Sequence, residues 1–300
     1  MEAIKNFDEL IDHLRIRGNR KRVAVVWPED QATQMAVSRA LEVGFIDSVM
    51  VGCKEQCLSN KVLMRHSDNI TFVEAADSDE AAAKAVKLVR DGNADILMKG
   101  MLNTDNLLRA ILNKEYGILP KGNVLTHITA SEIPAYPKLL FFSDSAVIPY
   151  PTLDQRAAQI KYLAYVARAF GIAQPKIALL HCSEKVDERH FPFTVGFKEL
   201  IARACNGEFG PCIVDGPMDV KTACSYKSML KKHIESPING EADALLFPDI
   251  EAANMFYKTI GLFCGASTAA VLQGTVAPVV LPSRGDSIMS KLYSLALAAL

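Results

Sequence analysis

Ala244-Leu245-Leu246-Phe247-Pro248-Asp249-Ile250-Glu251-Ala252-Ala253-Asn254 decides how this chain is read. An unbroken apolar run meets a polar island, and the island opens a helical pattern. Apolar runs without alternation suit parallel strands covered on both faces. In an α/β protein, a polar turn between such a strand and a helix is where anions bind, at the strand's carboxyl end and the helix's positive N-terminus. The pattern recurs near the end of the chain. Pro278-Val279-Val280-Leu281 runs into Pro282-Ser283-Arg284-Gly285-Asp286-Ser287. A Ser, an Arg and an Asp packed so closely suit a phosphate better than a core.

Further apolar runs lie at Val23 to Trp27, Ile96 to Met98 and Ile177 to Leu180. Between them are helical patterns. Ala82, Ala85, Val86 and Val89 share a face, and Asp77 with Glu80 resembles a capping box. Leu153, Ala157, Ile160, Ala164 and Ala167 follow helical steps, with Gly171 placed to close that helix. The proline-bearing stretch 123–151 holds two strand-like runs, Val124 to Thr129 and Leu139 to Phe142. It reads as a crossing between domains or the opening strands of the second. The expected architecture is α/β, with two lobes joined by strands and a cleft between them.

The 300 residues allow about two domains. Half are hydrophobic and the net charge is -1, which disfavours disorder and broad nucleic-acid binding. No apolar run approaches the roughly 20 residues of a membrane span, and the N-terminus lacks a signal-peptide pattern. The 7 cysteines are scattered and odd in number, which fits a reduced cytoplasm rather than a disulfide framework. The 6 histidines lack ligand spacing, so no metal is implied. Neither G-x-G-x-x-G, G-x-x-x-x-G-K-[ST] nor G-x-S-x-G occurs, which disfavours dinucleotide, P-loop and α/β-hydrolase chemistry.

Each candidate also has a plain structural reading. Lys99-Gly100, with Thr104 and Arg109 beyond, either lines an anion site or is a strand-end lysine reaching water near a surface arginine. His127, after Thr126, is a catalyst or a hydrogen-bonded core residue. Glu184-Lys185 reads as a solvated strand end, and Asp215-Gly216-Pro217 as a turn closing the strand Ile213-Val214. Asp249 is at least the cap of a helix whose core face is Ala253, Phe256, Ile260 and Phe263, with Asn254 one turn in. These readings leave the repetition unexplained: polar residues recur at one strand end after another, and parallel strands put those ends on one side.

Taken in order, these islands resemble the phosphate acetyltransferase/phosphate butyryltransferase family nearly end to end. The match is carried by Met98-Lys99-Gly100 with Thr104, Thr126-His127, Glu184-Lys185-Val186, Asp215-Gly216-Pro217, and Ser236-Pro237-Ile238-Asn239-Gly240 with Ala242-Asp243. Phe247 to Asn254 with Tyr257-Lys258, and Ser283-Arg284, complete it. Met98-Lys99-Gly100, Ser283 to Ser287 and Lys291 resemble the butyryl branch more than the acetyl branch. The acetyl branch carries a base Asp where this chain has Ser290; the nearest carboxylate here is Asp286.

The resemblance implies two Rossmann-like three-layer α/β/α lobes, as in isocitrate and isopropylmalate dehydrogenases. Residues 1–122 plus 272–300 would form one domain and 123–271 the other, in a homodimer or higher homo-oligomer. It implies transfer of a butyryl or similar acyl group between CoA and phosphate, directly in a ternary complex. CoA and acyl-CoA would be substrates, with no tightly bound cofactor or metal, and an acyl kinase would be the pathway partner. The implied catalytic residues are Ser283, Arg284, Asp286 and His127, with Arg284 on phosphate and Asp286 or His127 as proton acceptor. Lys99, Gly100, Thr104, Arg109, Glu184, Asp249 and Asn254 would bind substrate. The competing expectations are a non-catalytic module that binds CoA or acyl phosphate, and an oxidoreductase on the same fold.

Overall fold

The computed structural model describes residues 2–283 and 285–300. The chain divides into two compact units, one of residues 7–125 and 268–300, the other of residues 1–6 and 126–267.

The first unit begins with α1 (Phe7–Arg17), β1 (Lys21–Val26), α2 (Gln31–Val43), β2 (Ile46–Gly52) and α3 (Lys54–Leu58). It continues through β3 (Ile70–Glu74), α4 (Ser78–Arg90), β4 (Ile96–Lys99) and α5 (Thr104–Ile111). The second unit contributes β5 (Thr126–Glu132), β6 (Leu140–Ser143), α6 (Leu153–Ala169), β7 (Lys176–Leu180), α7 (Phe197–Cys205) and β8 (Ile213–Met218). It is completed by α8 (Val220–Cys224), α9 (Tyr226–Lys231), β9 (Ala244–Leu246) and α10 (Ile250–Phe263). The chain returns to the first unit through β10 (Ser267–Gln273), β11 (Val279–Val280) and α11 (Ile288–Ala299).

In the first unit the strand order is β3-β2-β1-β4-β11-β10, parallel except where β10 meets β11. Val23, Ala24, Val25 and Val26 are all 0% exposed. Successive strand residues point to opposite faces, so both faces of β1 are covered, as its unalternating sequence requires. α11 packs on both α1 and α2, and α4 packs on α5.

The second unit orders its strands β5-β6-β9-β7-β8. β6, β9, β7 and β8 are parallel; β5 runs antiparallel to β6. The stretch 123–151 is thus where strand direction reverses. α6 forms as its pattern predicts, under a Thr152/Gln155 capping box, and Gly171 follows it with φ 87°. The segment before α1 joins this unit, where Ile4 N donates to Phe170 O at 2.8 Å.

Two local expectations are corrected. Asp215-Gly216-Pro217 does not end a strand: β8 runs through it to Met218. A Cβ on Gly216 would lie 2.5 Å from Leu179 O, so the glycine lets adjacent strands approach closely rather than turn. Phe263 does not join the α10 core face but is 79% exposed; Ala253 and Ile260 are the buried residues there. No helix among the described residues is long and apolar enough to cross a membrane.

Candidate active site

β1, β3, β4 and β11 run parallel in one sheet, β3 joined to β1 through β2, so their carboxyl ends open on one side of the first unit. There the chain turns into α2, α4, α5 and α11. A pocket of about 480 Å³ lies at these ends, lined by Asp30, Ser78, Lys99 to Asn103, Pro282, Ser283 and Lys291. Ser78 opens α4, whose first N–H groups are taken by the Asp77 carboxylate, and Asn103 stands at the N-cap position of α5, so the starts of two helices meet two lysines. Lys99 is 3% exposed and donates to Gly100 O at 3.3 Å, so it does not reach out to water. Lys291 is 5% exposed and donates to Asp30 Oδ1 at 3.2 Å and Thr33 Oγ1 at 3.0 Å.

A larger cavity, about 590 Å³, lies where the same strands begin, near Lys21, Asp95 and Pro278. It carries none of the sequence candidates. Ligands of open α/β sheets bind beyond the carboxyl ends of the strands, which selects the smaller pocket.

Three sequence candidates, Lys99, Gly100 and Ser283, line that pocket. Asp286 is a step behind: its Oδ2 accepts the Ser283 N–H at 2.7 Å and its own N–H returns to Ser283 O at 3.1 Å, closing the turn. Ser283 is exposed on the wall this turn presents. Arg284 lies outside the described residues. Thr104 and Arg109 are exposed on the first and last turns of α5, away from the pocket lining.

The other candidates stand at the carboxyl end of the second unit's sheet. His127 is 6% exposed, with Nδ1 3.1 Å from Ser145 Oγ and 3.3 Å from Thr129 Oγ1. Asn254 Nδ2 donates to Ser145 O at 3.0 Å, so Ser145 brings these two candidates together. The Ser145 loop is fixed by the buried Asp144 carboxylate, which accepts from Thr126 Oγ1 at 2.7 Å and from Ala146 N and Val147 N at 2.9 Å each.

Asp249 caps α10, accepting from Ala252 N at 2.8 Å. The turn before it is held by Arg156, which donates to Phe247 O at 3.4 Å and Pro248 O at 2.7 Å and lies over the Phe193 ring. Burial lowers the Arg156 pKa to about 10, against the opposing effect of the Asp249 charge. Glu184 is set apart from this group, engaged by Lys232 and by Thr222 Oγ1 at 3.3 Å.

The sequence reading passed over Asp30 and Ser78, which line the pocket, and Asp144 and Ser145, which organise the His127 loop. Asp30 follows the apolar β1 run at Trp27-Pro28-Glu29-Asp30, the same strand-to-helix signal that exposed Asp249. Ser145 carried no comparable signal, because its partners are 18 and 109 positions away. Among the described residues no group of three or more His, Cys, Asp or Glu is placed to hold a metal ion.

The family model for phosphate acetyl/butaryl transferase matches residues 53–299. The chain is 36% identical over 298 residues to the phosphate butyryltransferase of Clostridium beijerinckii, covering 99% of this chain and 97% of that one. It is 35% identical over 284 residues to the phosphate acetyltransferase of Thermotoga maritima, covering 94% and 96%. Among solved structures, a branched-chain phosphotransacylase from Enterococcus faecalis V583 superposes with a TM-score of 0.81 at 30% identity, covering 93% of this chain and 97% of that one. A 4-hydroxythreonine-4-phosphate dehydrogenase from Klebsiella pneumoniae shares the fold alone, with a TM-score of 0.53 at 11% identity over 93% and 98% of the two chains. The strand-end pocket with Ser283 on its wall and the match over most of the chain agree: this chain is a phosphotransacylase and belongs to the phosphate acetyl/butaryl transferase family.

Proposed function

We propose that this phosphotransacylase converts acyl-CoA and inorganic phosphate into acyl phosphate and CoA, with phosphate held in the Lys99–Ser283 pocket. The carrying observation is that pocket itself, where buried Lys99, Ser283, Ser78 at the start of α4 and Asn103 just before α5 converge. The N-terminus of α5 and a desolvated lysine recognise a multiply charged anion through N–H donors and fixed positive charge.

A phosphate oxygen attacks the thioester carbonyl carbon, and the carbonyl electrons move onto its oxygen. As that oxyanion collapses, the C–S bond breaks and the thiolate leaves, to be protonated. One placed donor to the oxyanion contributes on the order of 10²–10³ in rate. Ser283 is the proposed donor to oxyanion or thiolate, and Arg284, with Lys99, the phosphate ligand. Transfer is direct, without an acyl-enzyme. Asp286 and His127 are the two proposed proton acceptors. The bond from Ser283 N–H to Asp286 also supports a positioning role for Asp286. Gly100, Thr104, Glu184, Asp249 and Asn254 complete the proposed substrate contacts.

The preferred acyl group is butyryl or similar. The butyryl-type Met98-Lys99-Gly100 and Ser283 to Ser287 segments support this, as do relatives named for butyryl and branched-chain substrates. Self-association into a homodimer is supported by α10, which exposes Met255, Leu262 and Phe263; a monomer in sedimentation would end that idea. The acyl phosphate product, a mixed anhydride, suits an acyl kinase as the next enzyme.

Thiol release from acetyl-, propionyl-, butyryl- and isobutyryl-CoA in phosphate tests the reading. Butyryl-CoA is expected to give the highest kcat/KM. Arg284→Ala and Ser283→Ala are expected to lose about 10²–10³ in turnover while keeping the wild-type melting temperature. Near-normal turnover in both variants would remove the pocket assignment.

A further inference from the structure

Lys291 stands on the first turn of α11, 5% exposed, yet it lines the pocket beside Ser283 and Lys99. Immobilising and desolvating a lysine is costly, and a helix clamp at the surface does not require it. An ammonium carries three N–H donors. Two are directed at Asp30 Oδ1 (3.2 Å) and Thr33 Oγ1 (3.0 Å). Asp30 is itself shared, since the same carboxylate oxygen accepts the Thr33 N–H at 2.8 Å as the cap of α2. The two bonds therefore fix the ammonium without saturating it: one of its three donors remains, on a side chain that lines the pocket.

We propose that Lys291 is a second cationic ligand for the phosphoryl anion, with Asp30 and Thr33 as the residues that position it. This rests on the pocket being the phosphate site. Lys99 reaches the anion from β4 and Lys291 from α11, so the charge is met from two elements of one unit. The compact, rotatable ammonium suits an anion that arrives as free phosphate and leaves as an acyl phosphate.

The test is steady-state kinetics of Lys291→Met, Lys291→Arg and Lys99→Met, with KM measured separately for inorganic phosphate and for acyl-CoA. Lys291→Met is expected to raise the KM for phosphate roughly 10- to 100-fold and to leave that for acyl-CoA within about twofold. Lys291→Arg should restore part of the loss. If Lys291→Met is too unstable to assay, Lys291→Gln carries the same expectation, because its amide can still donate to Asp30 without the charge. An unchanged phosphate KM, or equal changes for both substrates, while Lys99→Met raises that for phosphate, would reduce Lys291 to a helix clamp and overturn the proposal. An unchanged phosphate KM in both the Lys291 and Lys99 variants would overturn the pocket assignment itself.

Discussion

Gly100 occupies a place that admits no side chain. A Cβ there would lie 2.4 Å from Trp27 O and 2.5 Å from Val26 O, and the Gly100 N–H already donates to Val26 O at 2.8 Å. Trp27 supports the approach with φ 52°, a conformation rare outside glycine. Gly100→Ala must push β1 and β4 apart at the pocket rim. It is expected to cost about 1–3 kcal/mol and to lower the melting temperature by roughly 2–4 °C per kcal/mol. Calorimetry and phosphate KM should move together, and a wild-type melting temperature would mean the rim yields freely. The motif Met98-Lys99-Gly100 was legible in the sequence, but whether Lys99 lines a pocket or reaches water was not. That depends on what covers its four-carbon stem, and the covering residues come from other strands and helices.

At the scale of an element, α10 separates two roles for Asp249. Its carboxylate accepts the Ala252 N–H, the signature of an N-cap. Asp249→Ala should cost about 0.5–2 kcal/mol in denaturant unfolding. Asp249→Ser, which retains a cap, is expected to recover stability but not turnover. Recovery of both together would limit the carboxylate to capping α10. The start of α10 was readable because a cap and a helical period are local signals. Its buried face was readable only in part: Ala253 and Ile260 find partners, whereas Phe263 is 79% exposed, because periodicity names a face without saying how far the covering surface extends.

At the scale of the molecule, the Asp30–Lys291 pair joins the start of α2 to the start of α11, across 261 positions of sequence. Burial raises the Asp30 pKa, but hydrogen bonds with Thr33 and the charge of Lys291 outweigh it and hold the carboxyl below its ordinary value. A depressed carboxyl contributes stability above its unfolded pKa of about 3.9 and loses that contribution as pH falls through the folded value. Asp30→Asn should therefore destabilise the protein at neutral pH and narrow its gap to wild type as pH drops below about 4. Unfolding curves across that range give the measurement, and a gap that stays constant to low pH would detach Asp30 from acid sensitivity. The α/β class and the S-R and F-P-D islands after apolar strands are legible in the residues alone. All of these follow from short-range periodicity and from turns that local residue chemistry dictates. That Asp30, Lys99, Ser283 and Lys291 line one pocket while Glu184 stays with Lys232 is settled by long-range packing. A parallel sheet brings together strand ends far apart in sequence, and side-chain burial and pairing are fixed by those long-range neighbours.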